Sequence, residues 1–296
     1  MMKKTILMSG ATGFLGSNIL KALLNRNYNL IILKRSFSDI WRIRDIIEKV
    51  KYFNLDEISI EEIFQNVDVD IILHCATNYG RGERDLFNII EANLLMPLRL
   101  LEIGKKNGVK CFINTDTILD KRVNYYSLSK SQFKSWLNMN SDNLICINVS
   151  LEHFYGPFDD KTKFVSFVID KILSDVQAID FTKGEQKRDF IYIDDVVDAF
   201  GIMIDNAFNL RDGFHNYEIG TAKPVEIRQL VNMIKKISGN SKTKLNFGAI
   251  PYRKNEIMLS KVNITEITKL GWKHRYSLKE GLSETIKKEK IFRVKI

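Results

Sequence analysis

Tyr126 and Lys130 combine the side chains and the spacing of an acid–base pair. Residues four apart share one face of a helix, so the phenol and the ammonium group point the same way. Free tyrosine and lysine both titrate near ~10. We expect the ammonium to lower the pKa of Tyr126, so that the phenol can give a proton to a ketone oxygen or remove one from an alcohol. Tyr125 lies one residue out of this register.

The same spacing of Tyr and Lys is common on surface helices, so the pair alone is weak evidence of catalysis. A glycine-rich turn near the N-terminus supports the catalytic interpretation. The turn follows an apolar run typical of a buried strand and precedes apolar residues at helical spacing. Its glycines let the backbone approach a pyrophosphate, and the next helix supplies unpaired N–H donors. The alternative is a tight structural turn. The candidate cofactor contacts are Gly10, Thr12, Gly13, Phe14, Leu15 and Gly16.

Lys34, Arg35 and Ser36 follow the second predicted strand, where an acidic residue would bind the ribose 2′-hydroxyl of NAD. Two cations and a hydroxyl suit a 2′-phosphate instead. The sequence therefore predicts NADP, as NADPH, over NAD, with an ordinary basic loop as the alternative.

The elements that must position these residues alternate between strand and helix patterns. Apolar strands joined by amphipathic helices predict an α/β fold with a doubly wound parallel sheet of the Rossmann type. The predicted strands are Thr5–Met8, Leu30–Leu33, Asp70–Ala76, Cys111–Thr115, Leu144–Val149 and Phe214–Ile219. The predicted helices are Phe14–Leu24, Ile40–Val50, Leu86–Lys106 with a kink at Pro97, Ser127–Leu137, Phe164–Leu173, Val196–Ile204 and Glu226–Ile237.

Composition and charge restrict the function classes. The net charge is +9, which suits a solvated basic surface or a partner carrying phosphates, and no nucleic-acid or metal-binding motif accompanies it. No apolar run reaches the ~18 residues that cross a bilayer, so membrane insertion is not expected. Cys75, Cys111 and Cys146 lie in apolar segments without metal-ligand spacing, which is typical of reduced thiols in a cytoplasmic protein.

Together the glycine turn and the Tyr-x-x-x-Lys pair resemble the extended short-chain dehydrogenase/reductase family, the NAD-dependent epimerase/dehydratase type, over nearly the whole chain. The resemblance implies cofactor contacts at Cys75, Ala76 and Thr77 and a bracing role for Asn93. It also implies that Thr115 hydrogen-bonds the substrate carbonyl, with Thr117 as the fallback. Dehydratases of this family resemble Thr-Asp-Glu here, whereas this chain has Thr117 in place of the Glu, which argues against dehydration. Tyr126 follows Thr115 by only eleven positions, a shorter gap than is usual for the family.

The second half of the chain resembles the family's substrate-binding segments. His153 replaces the usual substrate-side Asn in a segment resembling Asn-Val-Tyr-Gly-Pro; a packed loop histidine is the alternative. Arg188 matches an arginine that binds the nucleotide diphosphate, and Arg253 lies in a second phosphate-contacting segment. The resemblance implies a cofactor domain over residues 1–152, completed by sheet pieces around 188–222. A smaller, interleaved substrate domain covers mainly 153–296.

Within the family the chain resembles nucleotide-sugar 4-ketoreductases such as abequose and paratose synthases. This implies reduction of a 4-keto group on a nucleotide-linked 6-deoxyhexulose for polysaccharide precursors, with Thr115, Tyr126 and Lys130 as the catalytic set. One alternative is a nucleotide-sugar epimerase that retains its NAD(P). An alternative of another class is a non-catalytic NADP-sensing protein. The resemblance also implies a homodimer that pairs through the helices predicted at Leu86–Lys106 and Ser127–Leu137.

Overall fold

The structure, a computed structural model, describes residues 3–82, 85–254 and 256–294. It divides into two compact units, each built from three stretches of the chain. The first unit is Met1–Leu151, Val197–Glu218 and Glu266–Trp272, and the second is Glu152–Val196, Ile219–Thr265 and Lys273–Ile296.

The first unit contains the central sheet. Its strands are β1 Lys4–Ser9, β2 Tyr28–Lys34, β3 Lys51–Asn54, β4 Ile71–His74, β5 Cys111–Thr117, β6 Ile145–Leu151 and, later in the chain, β11 Gly213–Ile219. Its helices are α1 Phe14–Leu23, α2 Ile60–Asn66, α3 Leu86–Ile90, α4 Met96–Lys106, α5 Tyr125–Met139, most of α7 Ile193–Asn206, and α9 Thr265–Lys269.

The strand order within the described residues is β11-β6-β5-β4-β1-β2-β3, and the pairs from β3 across to β6 are parallel. The doubly wound parallel sheet is thus confirmed. The chain builds the sheet outward from β1 to β3 on one side and then crosses to β4 on the other side of β1. Such a reversal opens a crevice at the carboxyl ends of β1 and β4, where ligands bind in folds of this type.

The segment Ile40–Val50 is not the α-helix that its pattern predicted. Successive turns link Ile43 N to the Ile40 carbonyl and Ile46 N to the Ile43 carbonyl, and only Ile47–Lys49 forms a short 3₁₀-helix. Its buried residues Ile43, Ile46 and Val50 have the spacing of an α-helical face, so the main-chain bonds and not the burial pattern distinguish these turns from a helix. Sequence reasoning also missed β3 and α2.

The helix predicted over Leu86–Lys106 is confirmed as one continuous helical run, and Pro97 marks a change in its winding. The π-helical segment Glu91–Leu95 separates α3 from α4, and Pro97 lies at the start of α4. Proline has no N–H to donate to the preceding turn, so a widened turn before it is expected. Nowhere in the part of the chain that the structure describes is a helix long and apolar enough to cross a bilayer.

The second unit combines short strand pairs with three helices of its own among the described residues. The strands are β7 His153–Tyr155, β8 Ala178–Phe181, β9 Lys187–Arg188, β10 Phe190–Tyr192, β12 Val225–Glu226 and β13 Lys244–Phe247. The helices are α6 Phe164–Leu173, α8 Ile227–Ser238 and α10 Leu278–Val294. β7 pairs with β10 and β8 with β13, both in parallel, while β9 and β12 are antiparallel.

Candidate active site

The glycine-rich turn follows β1 directly and lies against the residues that follow β4. Gly10 has φ +74°, and a Cβ at this position would collide with the backbone of Cys75 and Ala76. A Cβ on Gly16 would collide with the carbonyl group of Gly10. The sequence therefore needs glycine at both positions to bring the turn, the start of α1 and the end of β4 together.

The N-terminus of α1 is open to a ligand. Gly13 is its exposed N-cap residue, no side chain caps it, and its first turn holds no acidic residue. A ten-residue helix with an uncapped N-terminus presents unpaired N–H groups and the positive end of its dipole there. Thr12 completes the turn, and Phe14 and Leu15 begin α1, so the arrangement fits the pyrophosphate of a dinucleotide.

Lys34, Arg35 and Ser36 leave the carboxyl end of β2, and an acidic residue that sequence reasoning missed lies among them. Asp56 accepts hydrogen bonds from the backbone N–H of Ser36, at 2.7 Å, and from its hydroxyl. These bonds lower the pKa of Asp56. Lys34 donates to Asn54 Oδ1 at 2.6 Å. The residues at this strand end thus combine the cations Lys34 and Arg35 with the carboxylate of Asp56, and a second carboxylate, Glu57, accepts from Asn54 at 2.7 Å.

Asn93 connects the loop after β4 to α5. It is fully buried, its Oδ1 accepts from the backbone N–H of Asn78 and its Nδ2 donates to the Asn78 carbonyl, both at 2.8 Å. The same Nδ2 lies 3.1 Å from the hydroxyl oxygen of Ser129. Cys75, Ala76 and Thr77 open this loop, so Asn93 fixes the segment that carries the three predicted cofactor contacts.

Thr115 and Thr117 lie on the same face of β5, because side chains two apart on a strand point the same way. The Thr117 side chain lies close enough to the Tyr126 phenol to lower its pKa, and Thr115 is buried on the same face of the strand. Asp116 faces the other way, and its Oδ2 accepts from Asn148 Nδ2 at 3.0 Å and from Ser150 at 3.3 Å. Two side chains of β6 therefore already hydrogen-bond the Asp116 carboxylate.

Tyr126 and Lys130 lie in the first two turns of α5, which begins after the capping residue Asn124. Lys130 is 1% exposed, and its Nζ has no hydrogen-bond partner among the described residues. Burial lowers the pKa of Lys130 to about 8. A buried, unpaired ammonium needs a polar partner, and the ribose hydroxyls of a nicotinamide cofactor would supply one.

The sequence predicts a lowered pKa for Tyr126, and this prediction is wrong for the protein without ligands. Burial raises the pKa of this phenol, and the nearby Thr117 side chain and the charge of Arg81 oppose that effect only in part. Desolvation disfavours the phenolate more than nearby cations favour it. Tyr126 is therefore a neutral phenol at working pH, which is the form that donates a proton.

Tyr79 is the residue nearest this site that sequence reasoning missed. Its ring centroid lies 5.1 Å from that of Tyr126, and the guanidinium carbon of Arg81 lies 5.2 Å from the centroid of the Tyr79 ring. The position of Tyr79 in the loop after β4 could have identified it, because loops at the carboxyl ends of parallel strands carry ligand contacts.

The three predicted substrate residues all lie in the second unit. His153 Nδ1 is 2.9 Å from Oε2 of the buried Glu152, whose other oxygen accepts from Ser260. Arg188 Nη2 donates to Glu256 Oε1 at 2.5 Å, and both side chains are mostly buried. Arg253 is exposed, in the loop that leads to Glu256.

Comparisons with known proteins agree with this geometry. The model of the NAD dependent epimerase/dehydratase family matches residues 6–220. The chain is 36% identical to a CDP-abequose synthase of Salmonella muenchen, over 96% of this chain and 97% of that protein. It is 32% identical to the CDP-abequose synthase of Salmonella typhimurium, over 97% and 99%.

A solved structure shares both the fold and the extent of the chain. The UDP-glucose 4-epimerase of Thermotoga maritima, crystallised with UDP-glucose, superposes with a TM-score of 0.84 at 25% identity. The match covers 98% of this chain and 99% of the epimerase. The fold is therefore shared with an enzyme whose structure holds a nucleotide sugar.

Proposed function

Because the chain belongs to the NAD dependent epimerase/dehydratase family, we propose that it reduces the 4-keto group of a nucleotide-linked 6-deoxyhexulose with NADPH. Membership makes it an NAD(P)-dependent enzyme that acts on a nucleotide sugar. The names of the two Salmonella relatives favour a CDP-linked sugar and a place in polysaccharide precursor synthesis.

The observation that supports reduction most strongly is the neutral Tyr126 phenol beside the buried Lys130. In the proposed reaction the ketone carbon gains a hydride from NADPH, which leaves as NADP⁺, and the ketone oxygen gains the proton of Tyr126. Solvent then returns a proton to Tyr126. Thr115 is the proposed hydrogen-bond donor to the carbonyl oxygen. Lys130 would hold the nicotinamide ribose and balance the charge left on Tyr126.

An epimerase is the second candidate, favoured by the structural likeness to UDP-glucose 4-epimerase. The two functions differ in cofactor use, because an epimerase returns the hydride to the sugar whereas a reductase consumes it.

The enzyme is mixed with excess NADPH and a CDP- or dTDP-linked 4-keto-6-deoxyhexose, and absorbance of the reduced nicotinamide is followed. We expect one NADPH oxidised per product over many turnovers. A hydride-returning epimerase needs a 4-hydroxy sugar and oxidised cofactor, so a second mixture holds NADP⁺ and the CDP-linked 6-deoxyhexose. Interconversion of 4-epimers there, with no NADPH oxidised in the first mixture, would replace the reductase by the epimerase, and binding without any turnover in either mixture would favour the non-catalytic NADP sensor.

We expect NADPH to bind at least ten times more tightly than NADH. Arg35 and Lys34 can each form a charge-assisted hydrogen bond to the 2′-phosphate, worth ~1.5–3 kcal/mol. Arg35→Ala should lower the ratio of the NADH to the NADPH dissociation constant. Asp56→Asn should raise this ratio, since Asp56 repels the 2′-phosphate. Dissociation constants by isothermal titration calorimetry test this, with the exposed Arg99→Ala as control. Equal affinities in the unmodified protein would contradict the assignment.

For the sugar nucleotide we propose Arg188 and Arg253 as contacts of the diphosphate and His153 as a contact of the sugar side. The support is the family resemblance of their segments and the guanidinium group's fit to phosphate oxygens. Arg188 must then exchange its bond to Glu256 for one to the substrate.

We further propose the cytoplasm as the compartment, in keeping with the free thiols of Cys75, Cys111 and Cys146. A homodimer through α4 and α5 is proposed as well. Exposed apolar side chains just before α4 and along α5 support it, namely Leu95, Leu128, Trp136 and Met139.

A further inference from the structure

Glu152 and His153 form a carboxylate–imidazole pair within the second unit. The side chain of Glu152 is 1% exposed, and both of its oxygens are hydrogen-bonded. Oε2 lies 2.9 Å from His153 Nδ1, and Oε1 accepts from the hydroxyl of Ser260. An ionised carboxylate has no proton to donate, so the hydrogen in the bond to His153 belongs to Nδ1. The neutral imidazole then carries its proton on Nδ1 and leaves Nε2 bare.

The surroundings of Glu152 suit a carboxylate rather than a protonated acid. A buried carboxylate needs a nearby positive charge and hydrogen-bond donors. Burial lowers the pKa of Arg188, and the charges of Glu256 and Glu152 oppose that effect, so the guanidinium lies within electrostatic range of Glu152. A Cβ on Gly220 would press against Glu152 Cγ at 3.2 Å, so a glycine leaves room for this side chain.

The ring of His153 is held on a second side and remains partly accessible. His153 is paired with Phe190 between β7 and β10, and the two ring centroids are 5.6 Å apart. The side chain of His153 is 35% exposed, and Nε2 has no hydrogen-bond partner among the described residues. The carboxylate and the aromatic ring thus fix the imidazole, while its bare nitrogen stays open to a ligand.

We propose that Glu152 is a positioning residue that fixes His153 as a hydrogen-bond acceptor for a hydroxyl group of the nucleotide sugar. The proposal rests on the proposed function, which makes His153 a contact of the sugar side. A bare Nε2 accepts a hydrogen bond but donates none, so it fits a hydroxyl group and not a carbonyl or ether oxygen. The asparagine that is usual here in the family fits both, because its amide has a donor and an acceptor.

The tautomer of His153 tests the first half of the proposal without any substrate. The full chain is labelled with ¹⁵N at its four histidines, and NMR at about pH 8.5, where an ordinary histidine is neutral, shows which ring nitrogen carries the proton. His153→Asn identifies the signals of His153. We expect the proton on Nδ1 in the unmodified protein. Glu152→Met, which has similar length and no acceptor oxygen, should move it to Nε2, the nitrogen that an unrestrained histidine favours.

Ser260→Ala is the matched control for the tautomer. It removes the hydrogen bond to the other oxygen of Glu152 but keeps the carboxylate beside Nδ1. The proton of His153 should therefore stay on Nδ1 in this variant.

Steady-state kinetics test the second half, with saturating NADPH and a nucleotide-linked 4-keto-6-deoxyhexose. A hydrogen bond that persists from bound substrate to transition state affects KM and not kcat. Glu152→Met should therefore raise KM by about tenfold, with kcat within about twofold. In a protein that already carries His153→Leu, adding Glu152→Met should leave KM within about twofold, because Glu152 acts through His153. NADPH affinity should be unchanged throughout, which shows an intact fold.

A proton on Nε2 in the unmodified protein would overturn the proposal. So would an unchanged KM in Glu152→Met, or an effect on KM that persists in full in the His153→Leu protein. If Glu152→Met is not folded, Glu152→Gln replaces it in both measurements, and the proton should be shared between the two nitrogens because an amide pairs with either tautomer. Failure of the proposed function looks different, because the unmodified protein would then consume no NADPH while His153 still carries its proton on Nδ1.

Discussion

Tyr126→Phe should lower kcat by about a hundredfold or more, the usual scale for loss of a general acid. The substitution removes the proton donor but leaves the ring that packs against Tyr79. Burial keeps the Tyr126 phenol neutral, so the unmodified enzyme holds its proton ready for the ketone oxygen. Steady-state kinetics with saturating NADPH give kcat, and calorimetry should show NADPH affinity nearly unchanged.

The matched control is Tyr125→Phe, which alters the neighbouring tyrosine. Tyr125 is 61% exposed, so its hydroxyl is not needed for packing or for the site. A fully active Tyr126→Phe together with an inactive Tyr125→Phe would show that the reacting phenol belongs to the other residue.

Lys130→Met should have two opposite effects, a loss of activity and a gain in stability. The buried Nζ of Lys130 has no partner among the described residues, so its charge costs folding free energy in the protein without ligands. A methionine of similar length removes that cost, and we expect the free energy of unfolding to rise by about 1–3 kcal/mol at pH 7. Turnover should fall by about a hundredfold, because the ammonium no longer holds the ribose or balances the Tyr126 phenolate.

The gain in stability should depend on pH in a defined direction. The pKa of Lys130 is near its usual 10.5 in the unfolded chain and is lowered by burial to about 8 in the folded protein. Between these values the unfolded chain binds more protons, so the unmodified protein becomes more stable as pH rises. The advantage of Lys130→Met should be complete below pH 8 and shrink above it. Urea unfolding at pH 7 and pH 9.5 tests this, with Lys134→Met as control; an advantage that grows with pH would contradict it.

The first unit was predictable because its strands and helices follow from local patterns. The strands β1, β2 and β4 are short apolar runs followed by turn residues, and Gly10 marks where β1 ends. Ile40–Val50 misled because four apolar residues at a spacing of three or four fit both an α-helix and a string of tight turns. The main-chain bonds that decide between them are not visible in the sequence.

The chemistry of the site was predictable in kind but not in its electrostatics. Residue types and spacing identified Tyr126 and Lys130, yet the pKa of Tyr126 moves opposite to expectation because burial depends on the whole fold. Sequence reasoning missed Asp56 and Tyr79 because their place in the site also depends on the whole fold. Each lies in a loop after a different strand, and only the order of β3, β2, β1 and β4 in the sheet brings those loops to one edge.

The transfer of deuterium from labelled NADPH to the sugar tests the central claim most directly. The enzyme is given a nucleotide-linked 4-keto-6-deoxyhexose and NADPH that carries deuterium at the transferable position, and the product is analysed by mass spectrometry and NMR. A reductase should yield a sugar with one deuterium at carbon 4 for each NADPH oxidised, and Tyr126→Phe should form this labelled sugar about a hundredfold more slowly. A rearranged sugar without deuterium, formed while the NADPH remains reduced, would contradict the account.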